Sequence, residues 1–185
     1  FHTGSLYNII EILSKFLKEY ESNVKQYIGH GDLCFNNILV DRISGCIKLI
    51  DPKAYWDKKR NIFGLVDPNY DLAKLNHSYR YLYDSIVNKL FSIEIDKNNV
   101  ELIIYAPSEY DIVNKLFDQI HIEKNIDDNL LRILTASLFI SMLPLHEEDL
   151  ERFLCLAIIG SIVFNKIDIR TVSYTHLRAH ETLSY

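Results

Sequence analysis

Along residues 5–20, "SLYNIIEILSKFLKEY", apolar side chains return every three or four positions, at Leu6, Ile9, Ile10, Leu13, Phe16, Leu17 and Tyr20. That spacing places them on one stripe of a helix, and Ser5 or Thr3 can cap its first turn. The period then changes. "NILVD" and "CIKLID" are short β-type runs joined by "RISG", with Gly45 available for a tight turn, and they predict a hairpin. Residues 52–69, "PKAYWDKKRNIFGLVDPN", have no clean period, hold two of the four prolines and are expected to form a loop. Helical spacing returns from Asp71, at Leu72, Leu75, Tyr79, Leu82, Ile86 and Leu90, with Asp71 placed to cap the helix. "FSIEID" and "VELIIY" across "KNN" predict a second, small hairpin. Three further helices are expected around 109–120, 127–142 and 147–165, the last with Glu147, Glu148 and Asp149 near its positive end. The pattern predicts an α+β fold, mainly helical, a helical body carrying two hairpins.

Composition adds limits. A chain of 185 residues, 48% hydrophobic, is long enough to bury one substantial core, so one soluble domain is expected. The net charge of -5 lacks the basic excess of a protein that neutralises many phosphates, so no nucleic-acid partner is expected. Cys34, Cys46 and Cys155 are odd in number and lack CxxC spacing, which suits a reducing cytoplasm better than a disulfide framework or a zinc cluster. The apolar run "FLCLAIIGSIVF", residues 153–164, is shorter than the roughly 20 residues that cross a bilayer and reads as a buried helix, so no membrane span is expected. Residues 1–20 show no secretory signal pattern. Residues 169–185 change character and carry His176 and His180 as HxxxH; with no third ligand in view, they are read as a disordered or non-native tail, outside the domain at 1–168.

One stretch, "HGDLCFNNILVD" from His30, combines residues that carry chemistry. A His and a Gly-Asp turn before a strand are common, because Asp and Asn side chains bond local backbone. Here, however, Asp32 and Asn37 flank a short loop, and Asp51 ends the second strand of the hairpin that the loop enters. A hairpin brings the residue before its first strand near the residue after its second, so Asn37 and Asp51 should converge beside Asp32. Such oxygens suit Mg2+, which completes its octahedron with water and phosphate oxygens. Phosphoryl transfer asks for one carboxylate at the attacking hydroxyl and for metal between the phosphates. Asp32 fits the first task, Asn37 and Asp51 the second. A metal-dependent hydrolase built on His30 and Asp32 lacks the further ligands such sites require. Cys34 reads as a small apolar filler. Lys53 is a candidate phosphate or substrate contact, and Tyr79, Tyr81 and Tyr83, with Tyr55, Trp56 and Tyr70 nearby, could line an acceptor pocket, although Tyr79 lies on the apolar stripe and is assigned to the core.

"HGDLCFNNILVD" followed by "IKLIDP" resembles the catalytic loop and metal-binding strand of the aminoglycoside phosphotransferase and choline kinase family, the small-molecule branch of the protein-kinase-like fold. Four fixed residues in this pattern recur by chance about once in 10⁵ positions. "DPNYDLAKL" extends the resemblance. It implies Asp32 as catalytic base, Asn37 and Asp51 as magnesium ligands, His30 as a loop-shaping residue and Asp71 as a brace for the catalytic loop. It also implies ATP or another NTP, Mg2+ and a small-molecule hydroxyl acceptor: a sugar, an amino sugar or a choline-like alcohol. The expected fold is the C-terminal lobe of a kinase-like protein. The six glycines form no phosphate loop, so the N-terminal lobe is expected from a segment or domain upstream, and a fused nucleotidyltransferase is one candidate. The alternative is a non-catalytic kinase-like module that binds a ligand or partner.

Overall fold

The computed structural model describes residues 3–53, 55–59, 61–96 and 99–165. The tail at 169–185, with its HxxxH, lies outside them. Helix accounts for 55% of the chain and strand for 16%, the strands in small sheets, so the fold is α+β and mainly helical. The elements run α1 (Thr3–Glu21), β1 (Tyr27–Ile28), a 3-10 turn (Phe35–Asn37), β2 (Ile38–Val40), β3 (Ile47–Leu49), β4 (Tyr55–Asp57) and β5 (Ile62–Val66). There follow α2 (Pro68–Tyr79), α3 (Tyr83–Val87), β6 (Phe91–Asp96), β7 (Asn99–Ile104), α4 (Tyr110–Lys124), α5 (Asp128–Ser141), a second 3-10 turn (Leu143–His146) and α6 (Leu150–Phe164).

Two layers of apolar packing hold the helices. Ala136 and Phe139 of α5 pack with Cys155, Leu156, Ile159 and Val163 of α6, and Leu82, Ile86, Leu102 and Ile104 join them. Leu131, Leu134 and Leu138, on the other side of α5, enclose Ala73 of α2. Helix α5 is thus buried on two faces, with α6 on one side and α2 on the other. Gly160 permits the α5–α6 approach: a Cβ there would lie 3.0 Å from Phe139 Cβ and from Ile140 Cδ1. The run Asp128–His146, with mean hydropathy 1.3, is long and apolar enough by length and composition to cross a membrane. The core helix of a folded domain meets the same test.

The two predicted hairpins form. Strands β2 and β3 pair antiparallel with Ile38 opposite Leu49, and Gly45 turns between them at φ 71°. Strands β6 and β7 pair from Phe91–Ile104 to Asp96–Asn99. Residues 52–69 differ from expectation. They contain β4 and β5, which join β1 in a sheet of order β1-β5-β4, with Tyr27 opposite Val66 and Ile28 opposite Leu65. A two-residue strand whose partner lies nearly 40 positions on leaves no local periodic signal.

The second predicted helix is also revised. It starts at Pro68, and its N-cap is Asp67, which accepts from Asn69 N, not Asp71. A capping Asp followed by Pro in the first turn is a helix start signal. The helix does not run through to Leu90: the chain breaks after Tyr79, Leu82 takes a left-handed φ of 56°, and the short α3 follows. Leu82 and Ile86 are nonetheless buried while Leu90 is exposed, so the apolar spacing marked burial across a break. Hairpin β2–β3 leaves Leu39, Val40, Ile43, Ile47 and Leu49 exposed, with Tyr27, Ile28 and Phe63 of the adjoining sheet exposed as well.

Candidate active site

The loop 29–37 is threaded between the three-stranded sheet and α2. Gly29 enters it through a close approach: its N–H donates to Gly64 O at 2.8 Å, and a Cβ on it would stand 2.3 Å from Val66 Cγ2 and 2.7 Å from Asp71 Oδ2. Gly31 follows at φ 80°, a conformation glycine takes without strain. Asp71, buried in the first turns of α2, accepts His30 N–H at 2.7 Å and Gly31 N–H at 2.8 Å, one on each carboxylate oxygen. Asp67 ties this end of α2 to α1, accepting Tyr20 O–H at 2.8 Å. Burial, with the bond to Asp67, pushes the Tyr20 phenol up to about 12.

His30 shapes the next turn. Its Nε2 lies 2.9 Å from Ile50 O, and its Nδ1 lies 3.2 Å from Asp32 N–H. A backbone carbonyl can only accept and a backbone N–H can only donate, so the ring carries its proton on Nε2. Both nitrogens are thereby committed to backbone. His30 O in turn accepts Lys53 N–H at 2.9 Å, which sets the chain after Asp51 alongside the loop.

Asp32 is buried, and each carboxylate oxygen meets an ammonium. Lys53 Nζ stands 2.8 Å from Oδ2, and Lys74 Nζ, from α2, stands 3.0 Å from Oδ1. Burial raises the Asp32 carboxyl, but the two lysines outweigh it and hold it below the usual carboxylate range. Asn37 Nδ2 donates to Asp32 O at 2.8 Å, with a longer contact of 3.3 Å to Oδ2, which leaves the Asn37 amide oxygen unused by the loop. Ile50 N–H donates to Asn37 O at 3.0 Å, so the hairpin brings Asn37 to the end where Asp51 begins. Asp51 is exposed at φ 53°, and its Oδ2 lies 3.5 Å from Lys53 Nζ.

These groups line one cleft of about 990 Å³, together with Cys34, Tyr70, Tyr83 and residues of α1 and α5. Burial, ahead of the nearby Asp32 and Asp84, pushes the Cys34 thiol up, so it is a poor nucleophile there. Tyr79 is core, stacked on Phe117 with centroids 4.0 Å apart. The side chains of Tyr55 and Trp56 lie outside the described residues. Lys74 was missed in the sequence, where it lies among the apolar residues of α2 and has no motif of its own.

The donors suit a hard divalent ion in one respect: the Lys53 ammonium lies between the carboxylates of Asp32 and Asp51, where positive charge is already compensated. The unused Asn37 oxygen and the exposed Asp51 carboxylate are oxygen ligands of the kind magnesium prefers. Among the described residues no group of three or more His, Cys, Asp or Glu side chains forms a metal cage. Comparisons with family models, with curated proteins and with solved structures find no match for this chain.

Proposed function

We propose that this chain is the catalytic lobe of an ATP- and Mg2+-dependent phosphotransferase that acts on a hydroxyl of a small molecule, built as the C-terminal lobe of a kinase-like fold. The observation that carries the reading is Asp32, a buried carboxylate held ionised at the wall of a cleft, with Asn37 and Asp51 at the adjacent hairpin end. An ionised carboxylate can orient an acceptor hydroxyl and take its proton as the phosphoryl group transfers. Asn37 and Asp51 would hold magnesium, which supplies charge neutralisation on the phosphates. Lys53 is exposed enough to leave Asp32 for a phosphate oxygen. Asp71 fixes the loop by its two backbone bonds, which supports the bracing role that the resemblance implies for it.

A kinase-like module that binds without transferring has one observation in its favour: both oxygens of Asp32 are already engaged by lysines. The two readings separate in the native polypeptide that carries this sequence. Incubated with ATP, Mg2+ and a panel of alcohols, it should release ADP in an acceptor-dependent way, and Asp32→Asn should reduce that release by about 10²- to 10⁴-fold, a general-base effect. Undiminished turnover in the variant, or no magnesium-linked change at Asn37 and Asp51 by NMR, would overturn the catalytic reading.

A further inference from the structure

The charged groups of the cleft are gathered at one end. Six charged side chains among the described residues line it, and four of them, Asp32, Asp51, Lys53 and Lys74, pair with one another beside the hairpin. Asp67 commits both carboxylate oxygens within the fold, Oδ1 to Asn69 N–H and Oδ2 to Tyr20 O–H. Glu21, the last residue of α1, is exposed and meets water. The wall that α5 and the 3-10 turn after it supply is different. It consists of Leu134, Ser137, Leu138, Ser141, Met142 and Leu145, whose spacing of three and four makes one stripe about 16 Å long. The stripe bears no charge, and its two hydroxyls are committed to their own helix: Ser137 Oγ donates to Leu134 O at 2.7 Å and Ser141 Oγ to Leu138 O at 2.9 Å. Leu17, Tyr20 and Tyr70 pack against the cluster that contains Leu134 and Leu138. Tyr70 also joins the two ends of the cleft, since the Lys74 ammonium lies 6.0 Å above its ring.

We propose that the acceptor is an alcohol with an extended apolar body, whose hydroxyl meets Asp32 and whose hydrocarbon lies along the α5 stripe. This rests on the reading of Asp32 as the base: Asp32 takes the hydroxyl proton as that oxygen bonds the γ-phosphorus of ATP and the bond to ADP breaks. A sugar laid on the stripe would give up water from several hydroxyls and find no partner for them there. A hydrocarbon gives up no hydrogen bond and buries apolar surface on both sides. A short polar alcohol reaches Asp32 but leaves the stripe in water. Each methylene fully enclosed by protein tightens binding about fourfold, which becomes about twofold in a cleft that stays half open.

The test uses the native polypeptide with the primary alcohols from propan-1-ol to octan-1-ol, and with glycerol and D-glucose as polar probes. Binding is measured without nucleotide by ligand-observed NMR, and phosphorylation separately with ATP and Mg2+. Affinity should rise about twofold per added methylene, and both polar probes should bind more weakly than octan-1-ol. Ser141 is exposed, so changes there spare the core: Ser141→Glu, which sets a charge on the stripe, should weaken octan-1-ol binding at least fivefold, and Ser141→Leu should preserve or tighten it. Ile43→Lys with Ile47→Lys, on the exposed apolar hairpin, should leave that binding as it was. Affinity that does not grow with chain length, tighter binding of glycerol or glucose, no binding of any probe, a gain that Ser141→Glu does not reduce or one that the hairpin variant abolishes would overturn the inference. Chain-length selection with no phosphorylation of any alcohol would instead remove the phosphotransferase reading and leave the ligand class standing. Phosphorylation of glycerol or glucose in preference to octan-1-ol would overturn the inference and leave that reading intact.

Discussion

His77 offers the most direct test of how the core beneath the site is built. It is fully buried, its ring stacks on Tyr83 with centroids 3.9 Å apart and meets Phe139 at 4.2 Å, and neither ring nitrogen has a hydrogen-bond partner. Burial, with the nearby Lys74 ammonium, holds its pKa well below the usual histidine value of 6.5. The folded protein therefore keeps His77 neutral where the unfolded chain takes up a proton. Stability from this residue is full above the unfolded pKa and falls as pH drops below it. Between pH 7.5 and 5.5 one such histidine costs about 1.4 kcal/mol.

The perturbation is His77→Phe, which keeps a ring between Tyr83 and Phe139 and removes the titrating group. The absolute stability of the variant reports packing as well as polarity, so the quantity compared is the pH dependence. Urea unfolding at pH 7.5 and 5.5 should show a loss about 1.4 kcal/mol smaller in the variant than in the parent. His121 and His146 are also shifted down by partial burial, but they contribute equally to both proteins and cancel. An equal loss in the two proteins would refute the assignment of His77 as a buried neutral group.

Other changes probe the loop and its surroundings. Asp71→Asn replaces an acceptor of two loop N–H groups, His30 buried and Gly31 half-buried, by an amide that can accept on one side only; a loss of roughly 1–3 kcal/mol and faster amide exchange at His30 or Gly31 should follow, and unchanged exchange would remove the brace. Gly29→Ala puts a methyl into Val66 and Asp71, and should lower the urea midpoint by an overpacking cost of about 1–3 kcal/mol; a parent-like midpoint would mean that the sheet yields freely. Cys46 is exposed while Cys34 and Cys155 are buried, the latter thiol pushed up to about 12 by burial, so a thiol reagent at pH 7.5 should label Cys46 first, and early labelling of Cys34 would show an open cleft. The exposed apolar hairpin makes a surface of the kind that drives association: Ile43→Lys with Ile47→Lys should shift this chain toward monomer in analytical ultracentrifugation, and an unchanged distribution would assign association elsewhere.

Local pattern made the helices and two hairpins legible because each buries a face at its own period: α5 and α6 are apolar on the sides they present to each other. It failed where partners are distant. Strand β1 has only Tyr27 and Ile28, and its pairing with Val66 and Leu65 is specified by tertiary contact. The break between α2 and α3 was hidden because Tyr79, Leu82 and Ile86 stay buried across it, so helical spacing continued through a segment that is not one helix. Within the site, Asp32, Asn37 and Asp51 stood out because polar residues in a fixed order around a hairpin are uncommon. Lys74 did not, since one lysine on an amphipathic helix usually faces water.

Asp71 and Lys74 lie three residues apart, which puts them on the same face of α2. One takes the backbone of His30 and Gly31, the other the side chain of Asp32, so a single helical face fixes both the path of the loop and the charge of its carboxylate. The rotation of α2 about its axis then becomes the variable that sets the site. That rotation is determined at the capped start, where Asp67 binds Asn69 N–H and Tyr20 O–H, and along the opposite face, where Ala73 lies against Leu131, Leu134 and Leu138. Asp71 and Asp67 thus have different tasks although four residues separate them: Asp67 sets the helix, and Asp71 transmits its position to the loop. A change at Asp67 should therefore alter Asp32 without touching it, through the register of Lys74.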